Sequence, residues 1–188
     1  MNLRDTVLRI CVATCALTMS TAPPLAADRN ASFYQLHERL ADQDGKPINL
    51  DIHRGSPVLV AMFYSSCPAT CPLTIDTLRA VERKLGPARR SQVRVLLVSF
   101  DPERDTPTAL RQLATERRID TARWTLARGD AAAVRRVAAA LGIQYRKLPS
   151  GEFSHANVIT ALDRRGNILA HSSELGSADP RLVEALRE

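Results

Sequence analysis

Two continuous apolar runs do most to limit what this chain can become. Pro57 to Met62 is one and Val93 to Phe100 is the other. Neither alternates apolar with polar residues over its length, so each reads as a strand buried on both faces. Between them Leu73, Ile75, Leu78, Val81 and Leu85 fall at near-helical spacing, and Gly86-Pro87 is the stop signal for that helix. Buried strands separated by helices predict a parallel sheet covered on both sides.

The other elements follow from local signals. Residues 28–40, with Phe33, Leu36 and Leu40, read as a short amphipathic lead-in. Asp42 to Pro47 is a turn by composition, and Ile48, Leu50 and Ile52 alternate like a short strand. Asp105 or Thr106 caps a second helix that carries Pro107 in its first turn and runs to about Arg118. Trp124–Ala127 is a short strand, and residues 131–141 form an Ala-rich helix ended by Gly142. Gln144 to Ser154 is a connection with a turn at Pro149-Ser150-Gly151. Ala156–Leu162 and Asn167–Ala170 flank Asp163-Arg164-Arg165-Gly166 as a hairpin, and Asp179-Pro180 opens a last helix.

Cys67 and Cys71 stand where the first buried strand hands over to its helix. Residues four apart share a helical face, so two chemistries are open to the pair. The thiols can close a disulfide, or they can grip one soft metal ion. The positive end of the helix dipole favours a thiolate there and lowers its pKa. A purely structural disulfide is the weaker reading, because so short a loop is a poor staple.

The remaining cysteines, Cys11 and Cys15, lie in a segment of another kind. Arg4 and Arg9 give residues 1–27 a positive start, Ile10–Met19 is too short an apolar stretch to span a bilayer comfortably, and small residues follow. This predicts an export signal, or an uncleaved anchor, ahead of one domain over residues 28–188. That domain then works in a bacterial periplasm or on the outer face of the inner membrane, with membrane association through the N-terminal segment. The formal charge of +6 is spread over scattered arginines without base-stacking platforms. It reads as solubility or attraction to anionic surfaces and not as nucleic-acid binding.

The order of elements resembles the thioredoxin-like α/β fold: a central mixed sheet flanked by helices, with an insertion before the C-terminal hairpin. In that plan the connection entering the hairpin faces the thiol turn, and thioredoxin-type enzymes carry a cis-proline there. Here the residues are Phe153-Ser154-His155-Ala156. Two thiolates and one imidazole suit a soft ion such as copper, so His155 is the third candidate ligand. His37, His53 and His171 read as solvated, and Met62 as core.

Three segments together resemble the Sco/SenC family of copper proteins, which serve assembly of the binuclear copper centre of cytochrome c oxidase. They are Phe63 to Pro72, similar to that family's Cys-Pro-x-x-Cys-Pro loop; Ser99 to Pro107, containing Asp-Pro-Glu-Arg-Asp-Thr-Pro; and Ser154-His155 leading into a strand that ends at Asp163-Arg164-Arg165-Gly166. Ser154 stands where members of the family usually have Asp. The resemblance implies copper ligands at Cys67, Cys71 and His155, with Cys67 and Cys71 also able to form a disulfide. It places Asp101 and Asp105 in an acidic loop close to the site without making them ligands. The implied partner is the copper-bearing oxidase subunit or another copper or thiol protein. The implied role is a metallochaperone and not an enzyme. The alternative is a thiol–disulfide oxidoreductase working on cysteines of exported or apo-oxidase proteins.

Overall fold

The computed structural model describes residues 32–67 and 70–187. The expected export signal, with Cys11 and Cys15, lies outside the described residues. The chain enters through a 3-10 turn at Phe33–Gln35 and then forms β1 (Arg39–Ala41) and β2 (Pro47–Asn49). The expected lead-in is therefore a turn followed by a strand. The Asp42 carboxylate holds the intervening turn by accepting the amides of Asp44 and Lys46 at 2.8 and 2.9 Å. The strand expected through Ile52 stops earlier: β2 ends at Asn49 and Ile52 sits exposed in a turn.

The apolar runs become β3 (Val58–Phe63) and β4 (Arg94–Ser99), paired in parallel with Val58 opposite Arg94 and Phe63 opposite Ser99. All six residues of β3 are buried, as a strand with both faces covered demands. Between them runs α1 (Thr70–Arg90). The regular helix ends at Gly86-Pro87, as expected, because Gly86 leaves the helical conformation. Gly86 takes φ 76°, which kinks the helix, and a further turn follows to Arg90. Next come α2 (Pro107–Glu116), capped by Thr106, then β5 (Trp124–Ala127), and α3 (Ala131–Ala140), capped by Asp130.

The stretch expected to be a plain connection contains a hairpin, β6 (Tyr145–Lys147) and β7 (Phe153–His155), which pair only with each other. β8 (Ile159–Leu162) and β9 (Ile168–Ser172) complete the main sheet, and α4 (Pro180–Ala185) packs against them and against α1. The sheet order is β5-β4-β3-β8-β9, with β8 antiparallel to β3. This is the expected mixed sheet flanked by helices. The β1–β2 hairpin covers the β5 edge: Leu126 donates its amide to Gln43 Oε1 at 3.0 Å, and Ala41 bridges Arg128.

One glycine is required by its surroundings. Gly166, in the β8–β9 turn, has φ 84°, and the Tyr34 ring lies where a Cβ would go. Its carbonyl accepts the Phe33 amide at 2.8 Å. The start of the described chain is thus fastened to the turn at the end of the sheet away from the cysteines.

Candidate functional site

β3 delivers the chain to the thiol turn, and α1 takes it up again at Thr70. Cys67 and Cys71 are not joined as a disulfide, and their residues are 8% and 5% exposed. The Cys71 amide donates to Cys67 Sγ at 3.3 Å, and the Tyr64 amide donates to Cys71 Sγ at 3.4 Å. Each sulfur is therefore held by a backbone donor at the strand–helix junction. The expected lowering of thiol pKa by the helix end does not hold for Cys71. Burial pushes its thiol well above the ordinary cysteine value, and the Asp105 charge pushes the same way. The Tyr64 amide opposes this without cancelling it.

The acidic loop after β4 supports the turn from beneath. Asp105 is fully buried. Its carboxylate accepts the Ser65 amide at 3.1 Å, and also the hydroxyls of Ser65 and Ser99. Asp101 is equally buried and pairs with Arg104, whose guanidinium also donates to the Gly151 carbonyl in the β6–β7 turn. Asp105 thus bonds the thiol turn directly, and Asp101 is linked to Asp105 through the Ser99 hydroxyl. Asp105 fixes the loop that leads to the cysteines, and Asp101 fixes an arginine that grips the hairpin. Asp101 Oδ1 has no hydrogen-bond partner among the described residues.

His155 lies on β7, on the other side of one tyrosine from the thiols. Its Nδ1 is 3.2 Å from the Ala156 carbonyl. A carbonyl only accepts, so Nδ1 is the donor of this contact, and Nε2 is the ring nitrogen it leaves for another partner. The ring rests on Phe100, with centroids 4.9 Å apart, and meets Tyr64 edge-on at 6.2 Å. The Tyr64 hydroxyl accepts the Phe153 amide at 3.5 Å and also hydrogen-bonds Cys67. An open groove of about 360 Å³ runs beside His155, floored by Tyr145 and Ser154.

The structure brings Cys67 and Cys71 together and sets His155 nearby. Among the described residues, however, no three His, Cys, Asp or Glu side chains form a group that could hold a metal ion as they stand. The donor types still fit a soft cation: two sulfurs and one imidazole whose Nε2 is not engaged by the Ala156 carbonyl. The connection entering β8 contains no cis peptide bond.

Sequence reasoning assigned no role to Tyr64, Ser65, Phe100 or Arg104. Tyr64 and Ser65 lie inside the cysteine motif, and Phe100 and Arg104 inside the acidic one, so the signal was present as pattern but not as contact. The other histidines divide. His37 is exposed, and His171 is exposed with Nδ1 3.0 Å from the Thr160 hydroxyl. His53 is not a solvated side chain. It is packed at the far end of the sheet with Nε2 3.0 Å from the Thr125 hydroxyl, and burial lowers its pKa to about 4. Met62 is buried in the core.

Residues 26–188 match the family model described as SCO1/SenC. A protein of Stutzerimonas stutzeri that carries an inferred copper-binding name is 28% identical over 167 residues, which covers 80% of each chain. Among solved structures, Bradyrhizobium japonicum ScoI with copper bound superposes with a TM-score of 0.66 at 25% identity, covering 79% of this chain and 94% of that one. BsSco, described as having a disulfide switch and as a member of the Sco family of cytochrome c oxidase assembly proteins, shares the fold. Its TM-score is 0.63 at 22% identity, covering 80% of this chain and 94% of that one.

Proposed function

Because the chain belongs to the SCO1/SenC family, we propose that it is a copper-binding protein of cytochrome c oxidase assembly that holds the ion through Cys67, Cys71 and His155. The observation that carries this reading is the pairing of two adjacent thiols, not joined as a disulfide, with an imidazole whose Nδ1 is taken by the Ala156 carbonyl, leaving Nε2 as the ligating nitrogen. In this reading the ion is cargo, passed to the copper-bearing oxidase subunit by exchange of ligands. Residues 1–27 direct export or anchor the chain, and the domain from residue 28 works outside the cytoplasm.

Each residue then has a task. Cys67 and Cys71 surrender protons when they take the ion, and the raised pKa of Cys71 makes uptake steeply pH-dependent. His155 closes onto the sulfurs by movement of the β6–β7 hairpin past Tyr64. That hairpin is suited to move because its strands pair only with each other. Asp105 keeps the thiol turn in place while this happens. The oxidoreductase alternative is not favoured. A thiol kept protonated by burial is a poor attacking group, so Cys71 is unsuited to be the attacking thiol of that alternative.

The test is copper loading of the reduced protein, with metal analysis and absorption spectroscopy. One copper per chain is expected, with a sulfur-to-copper charge-transfer band. His155→Ala is expected to weaken binding at least about tenfold and to alter the band. Unchanged affinity and spectrum in that variant would remove His155 from the set. Failure of the wild-type protein to hold copper would overturn the reading.

A further inference from the structure

The end of the sheet opposite the thiols collects arginines from four separate loops. β3 and β4 run in parallel, and the thiol turn and the acidic loop both follow their last residues, Phe63 and Ser99. The other end gathers the loops that precede Val58, Arg94 and Trp124. It also gathers the turn after Leu162, because β8 is antiparallel to β3 and Leu162 faces Val58. Six strand residues set the two poles about 20 Å apart.

Two clefts open at this pole on either side of the end of α1. Arg89, Arg164 and Arg165 line one, of about 350 Å³. Arg90, Arg118 and Arg123 line the other, of about 160 Å³. Gln92 joins the first set, its Oε1 accepting from Arg89 at 3.4 Å and from Arg164 at 3.5 Å. The acids nearby are already engaged. Arg123 takes Glu82 at 2.5 Å and Asp120 at 2.8 Å, and Arg54 takes Asp51 at 3.3 Å. The Asp163 carboxylate accepts the Arg165 and Asn167 amides. The guanidinium groups of Arg118 and Arg165 make no ion pair or hydrogen bond among the described residues, and both residues are exposed.

The chain enters at this same pole. Phe33 donates its amide to Gly166, and the Ser32 hydroxyl donates to the Arg165 carbonyl at 2.6 Å. The 31 residues before Ser32, which include the apolar stretch Ile10–Met19, therefore join the domain beside Arg165. We propose that this arginine pole is a docking surface for an anionic phospholipid bilayer, which turns the thiol pole away from the membrane and toward protein partners. Guanidinium groups match phosphate oxygens in planar, bidentate geometry, and basic residues are drawn to anionic leaflets. A single-stranded nucleic acid would want exposed rings to stack on. The aromatic residues nearest this pole, Phe33, Tyr34 and Trp124, are all buried. The proposal needs no copper and stands apart from the copper reading.

The test uses the full chain without metal. Its binding to neutral phosphatidylcholine vesicles is compared with binding to vesicles containing about one-third phosphatidylglycerol, at low and high salt. The apolar N-terminal stretch contributes to both vesicle types alike, and Arg4 and Arg9 are common to wild type and variant, so the change between those two chains reads the pole. Binding to the anionic vesicles is expected to be at least about tenfold tighter at low salt. Replacing Arg118, Arg164 and Arg165 together by Gln is expected to reduce that advantage to about twofold or less. Equal binding to both vesicle types, or an advantage unchanged in the triple variant, overturns the proposal. Hydrogen exchange on the wild-type chain needs no variant. Residues 89–94, 117–123 and 163–166 are expected to gain protection on anionic vesicles, while 65–67 and 153–155 do not. The reverse pattern overturns it.

Discussion

The Asp105 carboxylate accepts the backbone amide of Ser65 at 3.1 Å, across a separation of 40 residues. This bond joins the loop after β4 to the loop after β3, and the second of these carries the thiols. The site therefore rests on a buried charge that belongs to neither cysteine nor histidine.

Removing that charge is expected to loosen the thiol turn. Asp105→Ala leaves the Ser65 amide and the Ser65 and Ser99 hydroxyls without their acceptor in a buried place. A loss of about 2–4 kcal/mol is expected in urea unfolding, with a smaller loss for Asp105→Asn, which can still accept. An Asp105→Ala protein as stable as wild type would mean that the carboxylate does not hold the turn.

Tyr64 separates its two functions when its atoms are removed in order. Tyr64→Phe keeps the ring against Phe153 and His155 and loses only the hydroxyl contacts, at about 1 kcal/mol. Tyr64→Ala leaves a cavity under the hairpin and is expected to destabilise by about 3–4 kcal/mol. Hydrogen exchange at Phe153 to His155 should quicken in the alanine variant and change little in the phenylalanine one. Equal protection in both would show that the ring does not restrain β7.

His53 should make stability depend on mildly acidic pH. Burial, then the neighbouring Arg94 charge, keeps its imidazole neutral in the fold, with a pKa of about 4 against an ordinary 6.5. Below 6.5 the unfolded chain binds a proton that the folded one refuses. Stability is therefore full above pH 6.5 and falls until the folded form also protonates near pH 4. For a side chain that is only partly buried the loss is about 2 kcal/mol. It is read as the difference between wild type and His53→Gln in unfolding curves from pH 7 to pH 4. A difference that stays constant with pH would rule this out.

Gly166→Ala tests how the chain's entry is fastened. The added Cβ meets the Tyr34 ring, and φ 84° is unfavourable for any residue with a side chain. A loss of about 2–4 kcal/mol is expected, from strain together with displacement of Tyr34 from the core. Thermal unfolding checks it. A neutral result would show that the ring moves aside freely.

Much of the plan is written in local pattern. Two continuous apolar runs of strand length read as buried strands, and the helix that links them brings Cys67 and Cys71 to its head. Caps at Thr106, Asp130 and Asp179 mark helix starts through bonds made within three residues, so a single line of sequence displays them. The β6–β7 hairpin escaped because Tyr145 to Lys147 is too short and too polar to show a period.

What sequence alone determined is therefore the parallel frame, the position of the two thiols in it and the family resemblance. Tertiary structure decided the rest: that burial raises the Cys71 thiol although a helix starts there, that Tyr64 stands beside both a thiol and the His155 strand, that His53 is half-buried against Thr125, and that arginines from four loops share one pole. The reason is one of range. Periodicity and capping act within a turn or two of chain, whereas desolvation and charge depend on neighbours that only folding brings near.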